Sequence, residues 1–545
     1  RGLASQYVPE WRPPDDEDPG VALLKIFAHM QEEIISRLNR VPEKSFGAFL
    51  EMLGMKLRPA LPSRAPITFY LAEGLKEKVF VPAGTQIAAP RTGKHDALTF
   101  ETAENFTASR AYIDEVFSVD PDNDAIYCHT AQLRDGKEFR LFRSSNIQKH
   151  AIYMGHADRF RVNASSQINL LIKFSSEIDP EFLRSLRWKY WNGNEEKKII
   201  PSISKQSEEN LYRIILVPGE EIKEKEIGSK SCIWIECILE SVIGWANLPT
   251  IKEIKIESVS LPGDIFIKPD RCLYNDQILD LTKKIYPLGR QPKIYDAFYI
   301  TSKEAFSKRG GRVTITFKRD LKGEAKVVPT NDIELSWEYW NGAVWKALEL
   351  EEDSNLGNIL KGFLIFTCPK DLQETAIGGV KGLWIRVRLM NGNYGSFIIA
   401  PTDTENILTV QPVFYPPYLG KIEISYESDA CALLQHCISY NNLEYKDVSE
   451  ASRGLGFKPF LPINDSMETL YLGFKDPWRG ETMSIFFSLL DEGTPDVRRP
   501  KIKWSYWSQA QNLEEVGDGK GEMDKPISKL VLVDGEGLAA GREIM

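Results

Sequence analysis

The chain has 545 residues, 42% hydrophobic and 11% aromatic, which is ample for packed cores and excludes a wholly disordered polymer. Its formal charge of -9 argues against a nucleic-acid scaffold, which would carry a basic stripe. No run of about eighteen apolar residues offers a membrane span, and length alone predicts three to five domains at about 100–200 residues each.

The first 58 residues read as helical. Asp18 caps a helix whose first position is Pro19, where a missing N–H costs nothing. Two apolar stripes run side by side: Val21, Leu24, Ala28, Ile35 and Leu38, and Leu23, Phe27, Met30 and Ile34. The polar stripe is Lys25, His29, Glu32 and Ser36. An ordinary surface helix carries one apolar stripe about 100° wide or somewhat more, whereas this one is apolar over roughly half its circumference. It therefore calls for more than one neighbour, and Val21, Leu23, Leu24, Phe27, Met30, Ile34, Ile35 and Leu38 are the candidate partner interface. A second helix restarts at Arg40-Val41-Pro42, carries Phe46, Phe49, Leu50 and Leu53, and closes on Gly54 as a left-handed cap.

From Leu61 the hydrophobic period changes to two. Ile67–Leu71, Val79–Val81, Thr85–Ala89 and Leu98–Thr102 alternate like strands, with Pro82-Ala83-Gly84 as a turn. A long internal repeat follows. The signature Trp188-Lys189-Tyr190-Trp191 recurs as Trp337-Glu338-Tyr339-Trp340 and Trp504-Ser505-Tyr506-Trp507. Trp234 lies 46 residues after Trp188, and Trp384 lies 47 after Trp337. Landmarks at matching offsets mean repeated small domains. In a strand Trp188 and Tyr190 share one face and Trp191 the other, so one face enters a sandwich core. Asn192-Gly193 and Asn341-Gly342 suggest two-residue hairpin turns, while Ser508-Gln509 in the third copy implies a longer or different turn. The third copy runs out 41 residues after Trp504 without a counterpart of Trp234, and reads as incomplete.

The expected fold class is α+β, mainly β. It comprises a helical segment (1–60), a small β-region (61–147), tandem β-sandwich-like modules at 148–275 and 295–425, an insertion at 426–464, and a third module at 465–545. Cys431–Cys437 within the insertion suggests a short helix.

A search for chemistry finds no nucleophile elbow, zinc helix, phosphate loop or dinucleotide fingerprint. The seven cysteines fit no disulfide framework or zinc site, and read as reduced, mostly buried thiols of a cytoplasmic protein. Gly93-Lys94-His95 lacks the spacing of a phosphate loop. Asp120-Pro121-Asp122-Asn123-Asp124 resembles a calcium loop but has Ala125 and Ala131 where glycine and glutamate are needed, so an acidic turn is favoured. Asp15–Asp18 reads as a helix-capping run, and Ser307–Arg312 as a solvated basic turn. His129 beside Cys128 points to the opposite face of a strand, which disfavours a Cys-His dyad. The aromatic signature is read as core first. Sugar stacking, as in a carbohydrate-binding module or glycosidase accessory, is the alternative. No catalytic residue, metal or cofactor is expected. The module signature consists of Trp188, Tyr190, Trp191, Trp234, Trp337, Tyr339, Trp340, Trp384, Trp504, Tyr506 and Trp507.

The amino-terminal stretch Tyr7–Trp11, Asp18–Leu24, Arg37–Lys44 and Phe49–Gly54 resembles the opening of baseplate assembly proteins of contractile injection systems, the phage-tail-like particles and their relatives. Val81-Pro82-Ala83-Gly84-Thr85 with Phe100-Glu101-Thr102 is similar to that family's J-like segment, and the tryptophan modules with Trp384–Arg388 look like its later repeats. The resemblance implies a wedge subunit. Such a subunit assembles with other wedge subunits as homo- and hetero-oligomers around a central hub and sheath-proximal proteins, in the cytoplasm, without nucleic acid or membrane insertion. It implies no enzyme activity. Module one carries Glu236-Cys237 where module two has Arg386-Val387, which puts equivalent partner contacts by all modules in doubt.

Overall fold

The computed structural model describes residues 3–11, 18–56, 60–72, 78–89, 97–108, 112–245, 247–261, 266–318, 333–351, 362–401, 408–428, 432–479, 485, 487–488, 502–507, 513–515 and 526–534. The protein is α+β and mainly β. It divides into two units, Arg1–Glu73 and Gly74–Met545.

The first unit holds α1 (Ala4–Tyr7), α2 (Pro19–Asn39) and α3 (Val41–Met52). The Asp18 carboxylate accepts from the amides of Gly20 (2.7 Å) and Val21 (3.3 Å), and Pro19 takes the first helical position. Two orphan amides are thus satisfied and α2 is nucleated. Gly54 ends α3 at φ 74°, a left-handed conformation cheap only for glycine. The strand expected at 67–71 does not form; residues 60–72 carry no regular structure.

In the second unit two small ribbons come first. Val79–Val81 pairs with Phe106–Ala108, and Gln86–Ala89 with Leu98–Glu101. The three modules then repeat one antiparallel arrangement. In module one the spatial order is Glu196–Ile199, Arg187–Trp191, Lys230–Leu239, His150–Gly155. Module two orders Trp345–Ala347, Glu334–Trp340, Val380–Asn391 and Ala297–Thr301 in the same way. Module three follows with Leu513–Glu515, Ile502–Trp507, Pro526–Asp534 and Thr469–Arg479. The counterpart strand that seemed missing from module three is therefore present. Trp188 faces Cys237, Trp337 faces Val387 and Trp504 faces Leu532. At that register Lys529 stands where the other copies have Trp234 and Trp384, which is why the landmark vanished from the sequence.

Modules one and two close into sandwiches on one shared sheet of seven successive strands with two more at its side. Its order is Ser202–Lys205, Leu211–Leu216, Ser166–Phe174, Ile251–Ser260, Lys421–Glu427, Arg312–Lys318, Gly362–Thr367. Alternation sets the faces: Val313, Ile315 and Phe317 turn inward from Arg312–Lys318. One core gathers around Phe160, Trp188 and Ile254, a second around Phe306, Phe366 and Ile385.

Three boundaries fall differently from the expectation. Residues 426–464 are not an insertion: His436–Asn441 and Glu444–Asp447 extend the sheet of module one, and Leu434, Cys437, Phe457 and Phe460 enter its core. The short helix expected at 431–437 is replaced by the strands Ala432–Leu433 and His436–Asn441, and Cys431 lies outside the described residues. Residues Ile113–Asp120 and Ala125–Cys128 leave the small β-region and join the sheet of module three through Thr469–Arg479. The Asn-Gly turns also differ. Four residues separate the paired ends Trp191 and Glu196, and four separate Trp340 and Trp345. Gly193 and Gly342 do sit at positive φ (105° and 98°). Each asparagine, however, folds its side chain over the turn: Asn192 Oδ1 accepts from Asn194 and Glu195, and Asn341 Oδ1 from Ala343 and Val344. In module three five residues separate Trp507 from Leu513.

Candidate functional site

On α2 only Val21 of the eight candidate interface residues is buried, and Trp11 packs on the neighbouring Gly20. Leu23 is 68% exposed and Phe27, Met30 and Leu38 are each 60% exposed; Leu24, Ile34 and Ile35 are also exposed. Phe46, Phe49 and Leu53 continue this apolar surface along α3. Trp11, Gly20, Leu23, Leu24 and Phe27 line a shallow open groove. On the polar side of α2 lie solvated pairs, His29 with Glu32 and Arg37 with Glu33, of little energetic weight. Covering the seven exposed side chains would yield on the order of 10 kcal/mol before ordering costs. The chemistry of this surface is that of apolar adhesion. Asp15–Glu17 of the acidic run lie outside the described residues, as does Gly93–His95.

The tryptophan signature faces the cores. Trp188, Tyr190, Trp337 and Tyr339 are buried, and Trp337 packs 6.1 Å from Phe317. Trp504 is half-buried against Leu470 and Leu472; the side chains of Tyr506 and Trp507 lie outside the described residues. Trp234 and Trp384 occupy the opposite sheet face and are also buried, each folding back to donate its indole N–H to a carbonyl nine residues upstream, Lys225 (2.8 Å) and Thr375 (3.1 Å). The ring of Trp234 lies over Gly155, where a Cβ would collide with it. Trp191 and Trp340 are half-buried. Lys225 covers the Trp191 ring at 5.1 Å, and Arg386 covers Trp345 at 4.0 Å. Intramolecular cations thus occupy ring faces that a sugar would need.

The departure between modules one and two is a compensated charge reversal. Lys189 stands opposite Glu236 in module one, and Glu338 opposite Arg386 in module two. Glu338 is buried and accepts from Arg386 (2.7 Å) and Arg388 (2.5 Å). Burial works against its charge, but the hydrogen bonds from Arg388 and Arg386 outweigh that and hold the carboxyl below its ordinary value.

Two buried polar clusters carry no sequence motif. The basic turn 307–312 is not solvated: Lys308 is 0% exposed. Its ammonium donates to the carbonyl oxygens of Asp158 (2.5 Å), Arg159 (3.3 Å) and Arg161 (2.7 Å), joining module two to module one. Tyr426 donates to Glu304 Oε1 (3.0 Å) beside it. Burial draws Lys308 below the ordinary lysine value and pushes Glu304 above the ordinary carboxylate value, each offset by the other's charge. Next to this seam His156 Nδ1 accepts from the amides of Asp158 and Arg159 (both 3.2 Å), so that nitrogen carries no proton. Burial, helped by Arg159 and Lys308, brings His156 down to about 4. The only sequence signal for Lys308 was a lysine amid glycines, and that pattern ordinarily means a turn.

The second cluster replaces the calcium-like loop. Asp120 turns inward on Asn123, and Asp124 (φ 46°) directs Oδ2 to His150 Nε2 (2.6 Å). No group of three or more metal-ligating side chains occurs among the described residues. His129 Nε2 meets Ser118 Oγ at 2.7 Å, but both are fully buried, and Cys128 Sγ turns to Thr130. Burial pushes the Cys232 thiol up to about 11 and raises Cys237, Cys272 and Cys437 as well, so these thiols are not poised as nucleophiles. No protein-family model matches the chain, and no curated protein matches it.

Proposed function

We propose that this chain is a structural subunit of a contractile injection particle: a baseplate wedge component that docks through α2 and α3 onto companion subunits around a central hub and passes on the trigger for sheath contraction through its β-modules. The observation that carries the reading is the exposure of both apolar rows of α2 from Leu23 to Leu38. Leaving that much apolar surface in water is costly, and a contiguous patch of this kind marks a protein-binding site. Fused sandwiches sharing one sheet supply a stiff body, which suits transmission by subunit rotation rather than by bond chemistry. The sugar-binding alternative is weakened by the cations that cover Trp191 and Trp345.

Leu24→Asp tests the docking surface. Purified alone, the wild-type chain is expected to self-associate or precipitate, and co-expressed with its wedge partners to co-purify with them. Leu24→Asp should weaken co-purification while leaving the β-unit's thermal unfolding unchanged. A monodisperse monomer with both rows of α2 protected from hydrogen exchange, or undiminished co-purification of the variant, would refute the assignment. Quenching of tryptophan fluorescence by glycans would favour the alternative.

A further inference from the structure

Each module's sheet is extended at its entry strand by a two-stranded hairpin. In module two that hairpin is the local one: Arg271–Tyr274 and Gln277–Ile278 precede Ala297–Thr301 in sequence and pair with it. The other two repeats do not follow suit. Ile113–Asp120 and Ala125–Cys128 immediately precede module one, yet pair with Thr469–Arg479 of module three. His436–Asn441 and Glu444–Asp447 immediately precede module three, yet pair with His150–Gly155 of module one. Residues 129–149 and 448–468 link these hairpins to the modules that follow them, two connections of equal length.

The crossing is pinned at one place. The lead-in to module one, residues 146–150, runs between the turns of both traded hairpins. Asn146 Oδ1 accepts from Ile126 (3.0 Å) and Asn146 Nδ2 donates to the Asp124 carbonyl (3.3 Å), on the first hairpin. Gln148 Nε2 donates to Asn442 Oδ1 (2.6 Å), on the other. His150 holds both: Nε2 meets Asp124 Oδ2 at 2.6 Å and Nδ1 meets Asn441 Oδ1 at 2.8 Å. Asn441 is oriented by Leu461 N–H on its oxygen (3.0 Å) and by its own donation to the Pro459 carbonyl (3.1 Å). Asp124 Oδ1 accepts from Ile463 N–H (2.9 Å). Both ring nitrogens therefore face oxygens, one from each hairpin. All three side chains are buried.

We infer that the first and third repeats have traded edge hairpins and that the Asp124–His150–Asn441 cluster is the latch that couples them, so that the two traded hairpins loosen together while the hairpin of module two does not follow. One imidazole thus bonds both hairpins at once, Asp124 in the turn of the first and Asn441 at the strand end of the second. The coupling does not depend on the assembly role proposed above.

Segment-resolved hydrogen exchange on the full-length chain tests it. His150→Phe keeps a ring of similar bulk and loses both bonds. Amides of 113–120 and 436–441 should then exchange faster together, by about tenfold or more, while 271–278 and 297–301 keep the wild-type rate. Coupling is reciprocal, so Leu470→Ala, which loosens the module-three strand under the first hairpin, should also speed exchange in 436–441. Acceleration of one hairpin alone, equal acceleration of module two, or no response of 436–441 to Leu470→Ala would overturn the inference. Should His150→Phe fail to fold, Asp124→Asn and Leu470→Ala read out the same coupling.

Discussion

Lys308→Met is the sharpest test of how the β-modules are joined. Methionine nearly matches the lysine stem in length but donates nothing. Three carbonyl oxygens of module one, those of Asp158, Arg159 and Arg161, lose the bond from a fully buried ammonium, and that of Asp158 keeps the longer ones from the Arg161 amide (3.3 Å) and the Ser307 hydroxyl (3.5 Å). Glu304 is left with Tyr426 and without the cation beside it. Each buried polar group stripped of its partner costs about 1–3 kcal/mol. Glu304 can take up a proton, which offsets part of the sum, so the expected loss is about 3–5 kcal/mol, the range for breaking one side of a buried pair. A chain of several modules does not unfold in one step, so the appropriate assay is native-state hydrogen exchange on 156–162 and 304–311 under increasing denaturant. Adding Glu304→Gln to Lys308→Met should recover part of the loss, because the stranded carboxylate goes as well. A loss below about 1 kcal/mol, or a double variant worse than the sum of the two single ones, would refute the picture of Lys308 as the seam's central donor.

Other outcomes follow from the same geometry. His156 titrates at about 4 when folded against 6.5 when free, so its contribution is complete above pH 6.5 and is lost as the pH falls towards 4. His156→Asn, which keeps an acceptor for the amides of Asp158 and Arg159, should flatten the acid side of the stability curve by up to ~3 kcal/mol, measured by denaturant midpoints between those pH values. Trp337→Ala empties a core aromatic site against Phe317 and should cost about 3–5 kcal/mol; thermal unfolding identical to wild type would contradict the core assignment. Glu338→Gln strands two arginines at a buried site and should cost about 2–4 kcal/mol, whereas Glu195→Gln, which breaks only the exposed pair with Lys197, should stay within about 0.5 kcal/mol. Denaturant midpoints of the two variants side by side check that ranking.

Local signals read well wherever a residue's role depends on its immediate neighbours. Asp18-Pro19 announced α2, the period change near residue 61 announced β-structure, and Trp-x-Tyr-Trp marked the same strand of the same sheet in three copies. Those inferences rest on caps and on 3.6- and 2-residue periods, all settled within a few residues. Burial of the signature followed from alternation, since a strand with one aromatic face must cover it. By contrast, Ile67–Leu71 alternates like a strand, yet among the described residues it pairs with none.

The chain's order of residues was sufficient to specify that it is built from an unusually apolar leading helix and three copies of one aromatic β-module. Which hairpin completes which module was decided only in three dimensions: 113–128 and 436–447 carry no mark that sends them to the far repeat rather than the near one. The same holds for Lys308 and His150. A lysine in a glycine-rich turn and a histidine at a strand end look solvent-facing until distant carbonyls, a distant aspartate and a distant asparagine close around them. Strand pairing and burial are relations between segments hundreds of residues apart, and no local pattern encodes the partner.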